Sequence, residues 1–130
     1  MANVLYPKFK EALLNKQFDM LTDSVKVALV DGGAASYNAA HQYLASIASA
    51  IVARSPALAS KTIALGVFDA ADVTLTAVTG PSVEIVAVWI DKGSDATNPL
   101  VGWIDTPTIA YNPNGSDAEV RFNASGIFAL

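Results

Sequence analysis

The most apolar segment of this chain reads VEIVAVWI over residues 83–90, and Glu84 is its single charged side chain. A strand with one face in solvent alternates apolar and polar residues, whereas a strand covered on both faces is apolar throughout. The segment therefore predicts a central β-strand that is buried on both faces.

Shorter segments with apolar residues at every second position flank this central strand. They predict further strands at residues 25–30, 63–67, 73–77, 100–104, 118–122 and 127–130. The intervening segments are rich in turn-forming residues, as in TGPS at 79–82 and NPNGS at 112–116. This spacing predicts a mainly β (α+β) fold, with antiparallel sheets arranged as a β-sandwich or a barrel.

Two short helices are predicted in the N-terminal third. Pro7 suits the first turn of a helix, and apolar residues recur at helical spacing over residues 6–16. Asn38 is a suitable N-cap for a second helix. The apolar face of that helix would comprise Ala40, Leu44, Ile47, Ala48 and Ile51.

The composition is that of a folded and weakly charged domain. The chain has 130 residues, of which 52% are hydrophobic and 15% charged, where soluble proteins carry about 25% charged residues. This length predicts a single domain over residues 1–130, and the hydrophobicity excludes intrinsic disorder. The net charge of −4 disfavours nucleic acid as a partner, and the lack of cysteine excludes disulfides and thiolate chemistry.

The sequence predicts neither a signal peptide nor a membrane span. Lys8, Lys10 and Glu11 lie where a signal peptide would have its apolar run. The longest weakly apolar stretch, residues 44–53, is about half as long as a membrane-spanning helix and contains two serines. We therefore expect a soluble protein that is synthesised in a cytoplasm and has no membrane partner.

Charge is distributed unevenly along the chain. Residues 1–61 carry a balance of +2, and residues 62–130 carry a balance of −6. The two halves could therefore attract each other head to tail between copies of the chain. The alternative interpretation, which is favoured for any individual charge, is an ordinary solvated surface.

His41 is the only histidine and is a candidate for acid–base chemistry or metal binding. It has no second histidine and no cysteine at ligand spacing, and no G-x-S-x-G segment supplies a nucleophile. A structural role in packing is the favoured interpretation. The sequence therefore predicts no catalytic residue and no enzyme.

Four aspartates form two candidate acidic pairs, Asp69 with Asp72 and Asp91 with Asp95. Paired carboxylates can perform acid–base catalysis or bind Ca²⁺. Calcium loops place their oxygen ligands more densely than this, and aspartates in turns commonly accept hydrogen bonds from the nearby backbone. Turn residues are the favoured interpretation and a cation site is the alternative, so no metal or other cofactor is predicted.

Trp89 and Trp103 are the candidates for an aromatic platform that would bind a sugar. Tryptophans on apolar strands are more often core residues or interface anchors. The glycines predict no phosphate-binding loop, because neither G-x-x-x-x-G-K nor G-x-G-x-x-G occurs in the chain.

Six stretches together resemble a group of small structural proteins encoded by tailed bacteriophages. They read YPKFKEALL (6–14), VKVALVD (25–31), AAHQYL (39–44), LASKT (58–62), VFDAADV (67–73) and GIFAL (126–130). The resemblance extends over nearly the whole chain. Residues 106–117 depart from the longer segment, rich in glycine and asparagine, that precedes the last strand in that group.

The resemblance implies a virion component without catalytic residues, in particular a capsid decoration (cement) protein on the capsid surface. Such a protein would associate with copies of itself and bind the lattice of the major capsid protein. The scarcity of charge agrees with this expectation, because a chain with few charges must expose small apolar and uncharged polar groups. Extended apolar surface on a soluble protein marks a partner site. The alternative is a tail-associated or adsorption-related β-sandwich module that binds a surface glycan through Trp89 or Trp103. A small hydrolase that uses His41 has the least support.

Overall fold

The central sheet is built around the apolar segment at residues 83–90. A computed structural model of the protein describes residues 4–104, 112–122 and 126–129. Its elements are helix α1 (Pro7–Leu14) and strands β1 (Val4–Leu5), β2 (Val25–Val30), β3 (Ile51–Arg54), β4 (Thr62–Ala64), β5 (Val67–Asp69), β6 (Val73–Leu75), β7 (Ile85–Ile90), β8 (Leu100–Ile104), β9 (Ala118–Val120) and β10 (Phe128–Ala129). The sheet has the antiparallel order β1-β8-β7-β2-β3. The prediction of a mainly β fold with antiparallel sheets is confirmed.

Strand β7 lies in the middle of this sheet and is buried along its whole length. It pairs with β2 from Ile90 opposite Val25 to Ile85 opposite Val30, and β8 pairs with it on the other side. The prediction of a central buried strand is confirmed. An unbroken apolar run has no polar face to present to solvent, so both of its faces are covered by other parts of the chain.

The other strands form two small antiparallel sheets, one with the order β10-β5-β4 and one that joins β6 to β9. The rings of Phe68 on β5 and Phe128 on β10 stack with their centroids 5.3 Å apart. Phe9 of α1 meets Phe128 edge-on at 5.9 Å. These aromatic contacts attach the three-stranded sheet to the helix and to the apolar core.

The first predicted helix is confirmed as α1, and its C-terminal end has an unusual cap. Lys16 has a φ of 61°, a conformation that favours glycine. Its N–H donates to the Leu13 carbonyl at 3.1 Å, and the Gln17 N–H donates to the Ala12 carbonyl at 3.0 Å. This is the Schellman pattern with a lysine in the left-handed position, so the backbone at the end of α1 is tightly fixed.

The second predicted helix is wrong. Residues 38–51 contain two short 3₁₀ turns, Leu44–Ser46 and Ala48–Ala50, and then enter strand β3 at Ile51. Among the residues that the structure describes, α1 is therefore the one α-helix, where the sequence predicts two.

Backbone contacts with the loop at residues 91–99 explain this difference. The Leu44 N–H donates to the Asn98 carbonyl at 2.8 Å, and the Ala45 N–H donates to the Asp95 carbonyl at 3.0 Å. An α-helix requires these N–H groups for the carbonyls four residues earlier. Tertiary hydrogen bonds therefore override the helical pattern of this segment, because intrinsic helix propensity is weak compared with tertiary contacts.

The prediction of one strand over residues 63–67 is also wrong, because the chain forms a hairpin there. Strands β4 and β5 pair with Ala64 opposite Val67, and Leu65 and Gly66 form a two-residue turn. Their φ angles are 52° and 77°. Positive φ at both central residues is the requirement of a type I′ turn, whose twist matches that of the flanking strands.

Residues 106–117, where the chain departs from the resemblance, are described from residue 112 onward. Asn114 Oδ1 accepts a hydrogen bond from the Ser116 N–H at 3.0 Å, and Gly115 between them has a φ of 87°. The turn predicted from NPNGS is therefore present. Leu130, in the predicted last strand, lies outside the described residues.

Candidate functional site

Trp89 is buried in β7, with two cationic side chains against its ring. The residue is 2% exposed. Lys26 lies directly opposite on β2 with Nζ 5.7 Å from the ring centroid, and Arg54 of β3 places Cζ at 5.6 Å. Both distances are within the range of cation–π interactions. Trp89 is therefore a packing residue and is not accessible as a sugar platform.

Asp91 and Asp95, on the loop after β7, pair with these two cations. Lys26 Nζ lies 2.7 Å from an Asp91 carboxylate oxygen, and Arg54 contacts both Asp95 oxygens at 2.6 and 2.8 Å. The hydrogen bond from Lys26 holds the pKa of Asp91 below its ordinary value, and the bonds from Arg54 do the same for Asp95. Both groups are ionised at neutral pH, so neither can supply the proton of an acid–base pair.

The loop that carries these two aspartates is fixed by its own hydrogen bonds. Asp91 Oδ1 accepts from the Gly93 N–H at 3.0 Å. Asn98, which is 2% exposed, accepts from the Lys92 N–H at 2.6 Å. A buried amide bonded in this way holds the loop in one conformation. The carbonyls of Asn98 and Asp95 accept the N–H groups of Leu44 and Ala45, so this fixed loop supports the chain at residues 42–45.

Asp69 and Asp72 anchor backbone N–H groups. Asp69 Oδ1 accepts from the Ala70 N–H at 2.8 Å, and Asp72 Oδ1 accepts from the Phe122 N–H at 2.9 Å. Asp72 directly precedes β6, so the second bond ties the start of β6 to the chain that follows β9. Within the described ranges, no three His, Asp or Glu side chains come close enough together to hold a metal ion.

His41 lies in the turn that stands where the second helix was predicted. Its backbone N–H donates to the Asn38 carbonyl at 3.0 Å, and Asn38 Oδ1 accepts from the Ala40 backbone N–H at 2.8 Å. The ring is half-buried, and Nδ1 has no hydrogen-bond partner in the described part of the chain.

Trp103 belongs to a second buried aromatic cluster. It is 3% exposed and meets Tyr37 edge-on at 6.5 Å, and Tyr37 lies 5.1 Å from Tyr6. Burial raises the pKa of Tyr6. Because Trp89 and Trp103 are both buried, neither supplies the exposed aromatic surface that the glycan-binding alternative requires.

Large apolar side chains are exposed at the tip of the β4–β5 hairpin. Leu65 is 103% exposed and Ile63 is 53% exposed. We call these two residues the hairpin patch. Leu14, at the end of α1, is also largely exposed, at 86%.

The turn at the hairpin patch contains a strained leucine. Leu65 has a φ of 52°, and the left-handed conformation costs an L-residue with a Cβ roughly 1–2 kcal/mol. Asparagine, aspartate or glycine is the usual residue at this position of a type I′ turn. Because Leu65 is fully exposed, contacts within the described molecule do little to offset this cost.

An apolar cleft with a volume of about 430 Å³ lies beside the hairpin patch. Its apolar lining consists of Leu13, Phe18, Met20, Ile63, Phe68 and Phe128. Lys16 and Asp19 add one charge of each sign, and Gly66 completes the lining. A mostly apolar lining with a few polar groups is typical of a binding cleft.

Sequence reasoning missed the hairpin patch because it assigned Ile63 and Leu65 to one continuous strand. The signal that could have revealed it is Gly66, between two apolar segments that each have period two. Glycine in the second central position of a two-residue loop is typical of type I′ hairpins.

The sequence matches no model of a protein family and no curated protein. In the part of the chain that the structure describes, no helix has both the length and the apolar character needed to cross a bilayer.

Proposed function

We propose that this chain is a non-enzymatic structural protein of a tailed-bacteriophage virion, and specifically a capsid decoration (cement) protein on the capsid surface. The resemblance of six stretches spread over residues 6–130 supports this proposal. The observation that carries it is Leu65, a large apolar side chain that is fully exposed in a strained turn. Exposed apolar groups beside an apolar cleft are typical of a docking surface.

A decoration protein makes the same contacts many times across a symmetric lattice. Contacts that are weak individually then add up through avidity. The hairpin patch and the adjacent cleft can make such contacts with other copies of this chain and with the major capsid protein. The protein would be synthesised in the host cytoplasm and then bind assembled particles.

Apolar contacts, rather than charge, would drive this association. Three ion pairs in the described part of the chain join the basic first half to the acidic second half within one copy: Lys26–Asp91, Arg54–Asp95 and Lys92–Asp23. Charges that are paired within a molecule contribute less to head-to-tail attraction between molecules. We therefore set aside the head-to-tail hypothesis and propose the apolar surface as the contact.

The arrangement of the sheets as a β-sandwich or barrel, within a single domain of residues 1–130, belongs to the same proposal. The stacked rings of Phe68 and Phe128 support it, because they direct apolar side chains of the three-stranded sheet toward Phe9 and the core. In a sandwich, the inner faces of two sheets meet through such side chains.

Mass spectrometry of purified virions, together with a rebinding assay, tests the proposed function. We expect the chain in virions and expect purified protein to bind capsids whose gene for this chain has been deleted. A matched preparation of isolated tails should not bind it. Binding to tails alone would support the adsorption alternative, and absence of the chain from virions would contradict both functions.

A further inference from the structure

We infer that the hairpin patch and its cleft form a two-fold interface between two copies of this chain, in which Leu65 of each copy enters the cleft of the other. The inference rests on the proposed function, because it assigns the proposed self-association to one surface. It names a second copy as the occupant of the cleft.

The projecting side chain and the cleft lie next to each other. Ile63 and Gly66, which lie two residues before and one residue after Leu65, both line the cleft. A two-fold interface brings the same patch of two copies together, so a projection beside a cavity meets the cavity of the partner. The cleft volume of about 430 Å³ lies in the range of pockets that accept whole ligands, so it can accept a leucine side chain.

The charges that line the cleft favour a second copy over an unrelated partner. Lys16 and Asp19 have opposite signs. A two-fold axis between Leu65 and the cleft can place Lys16 of one copy against Asp19 of the other, twice in each dimer. This charge complementarity requires no partner except the chain itself.

The Asp19 carboxylate and the backbone at Lys16 are held in place before association. Asp19 Oδ1 accepts from the Leu21 N–H at 3.0 Å and the Thr22 N–H at 3.3 Å. The backbone of Lys16 is fixed in the left-handed cap of α1. Groups that are already ordered lose less conformational entropy when an interface forms. Burial of Leu65 in the partner would also offset the strain of its turn.

Analytical ultracentrifugation of the wild type and Leu65→Asn tests the inference. Asparagine tolerates the left-handed conformation, so this variant keeps the hairpin. Because the leucine would be buried twice per dimer, we expect the dissociation constant to rise at least about a hundredfold. Ala77→Asn is the matched control, because Ala77 is also exposed with a positive φ, of 50°, but does not line the cleft.

Charge reversal at the cleft provides a second, independent test. Lys16→Glu should raise the dissociation constant about threefold to tenfold, since each dimer would lose two exposed ion pairs. Lys10→Glu changes the net charge equally, but Lys10 lies in a different cleft, beside Leu5 and Ile104. The Lys10 variant should therefore associate like the wild type.

A wild type that stays monomeric at all accessible concentrations would overturn the inference, and so would a Leu65→Asn variant that associates like the wild type. Capsid binding separates this failure from failure of the proposed function. If the wild type binds capsids but does not self-associate, the surface assignment is wrong and the function stands. If it neither self-associates nor binds capsids, both proposals are contradicted.

Discussion

Leu65 shows how one backbone angle can point to function. A leucine with a φ of 52° costs free energy in the isolated chain, and a fully exposed leucine gains little from its own molecule. Strained residues of this kind cluster at functional sites, where binding to a partner can compensate for the strain. The same residue therefore links the local conformation to the proposed interface.

The first prediction concerns the stability of the monomer. Leu65→Asn should raise the free energy of unfolding by about 0.5–1 kcal/mol, because asparagine fits a type I′ turn better than leucine does. Urea denaturation at a protein concentration below the association range measures this difference. A lower stability of the variant would show that Leu65 makes contacts that hold the monomer together.

The second prediction concerns Gly126, where β10 approaches β5. A Cβ added there would lie 2.2 Å from Val67 Cγ1 and 3.2 Å from the Phe68 carbonyl oxygen. Gly126→Ala should therefore lower the free energy of unfolding by about 2 kcal/mol or more. Gly93→Ala is the control, because Gly93 has a similar φ of 110° but no atom within 4 Å of the added Cβ. Equal losses in both variants would contradict the steric explanation.

At the scale of elements, sequence patterns predict strands better than they predict the connections. The apolar run at residues 83–90 contains β7, and the alternation at 25–30 coincides with β2, because burial on a sheet depends on the polarity of the residues themselves. The segment at 38–51 has a helical period, but its N–H groups bond to a loop about 50 residues away. No local pattern contains that information. The candidate site was missed for a related reason, since period-two alternation does not show where the chain reverses at Leu65.

The third prediction concerns the pH dependence of the loop at residues 91–99. The Arg54 hydrogen bonds lower the pKa of Asp95 in the folded state. The pair therefore stabilises the fold above the unfolded pKa of about 3.9, and this contribution is lost as the pH falls through the folded pKa. Asp95→Asn should be about 0.5–1 kcal/mol less stable than the wild type at pH 7.

Urea denaturation of both proteins between pH 7 and pH 2 measures this dependence. The difference in stability should shrink as the pH falls below about 4. Glu11→Gln is the control, because the Lys8–Glu11 pair is exposed and spans 3.5 Å. A difference between wild type and Asp95→Asn that is constant over this range would show that the ion pair is not its cause.

At the scale of the whole molecule, composition bears on the kind of contact that the proposed association would use, but not on where that contact lies. Only 15% of the residues are charged, and the described long-range ion pairs already give six of these side chains a partner of opposite charge. Composition does not show where apolar groups remain exposed, because that depends on which side chains the fold covers. The hairpin patch became visible only in the folded structure.

The fourth prediction follows from this apolar character. Self-association should change by less than about fivefold between 0.1 and 1 M NaCl, because salt screens charges but does not weaken apolar contacts. Ultracentrifugation over this range of salt measures the dissociation constant. A loss of affinity greater than about a hundredfold would show that charge drives the association instead.

Cryo-electron microscopy of the virion tests the central claim most directly, because it shows both the location of the chain and the surroundings of Leu65. We predict density for this fold at repeated positions on the outer capsid surface, with the β4–β5 hairpin buried against a neighbouring subunit. A map without this fold on the capsid, or with Leu65 in open solvent at every position, would contradict the account.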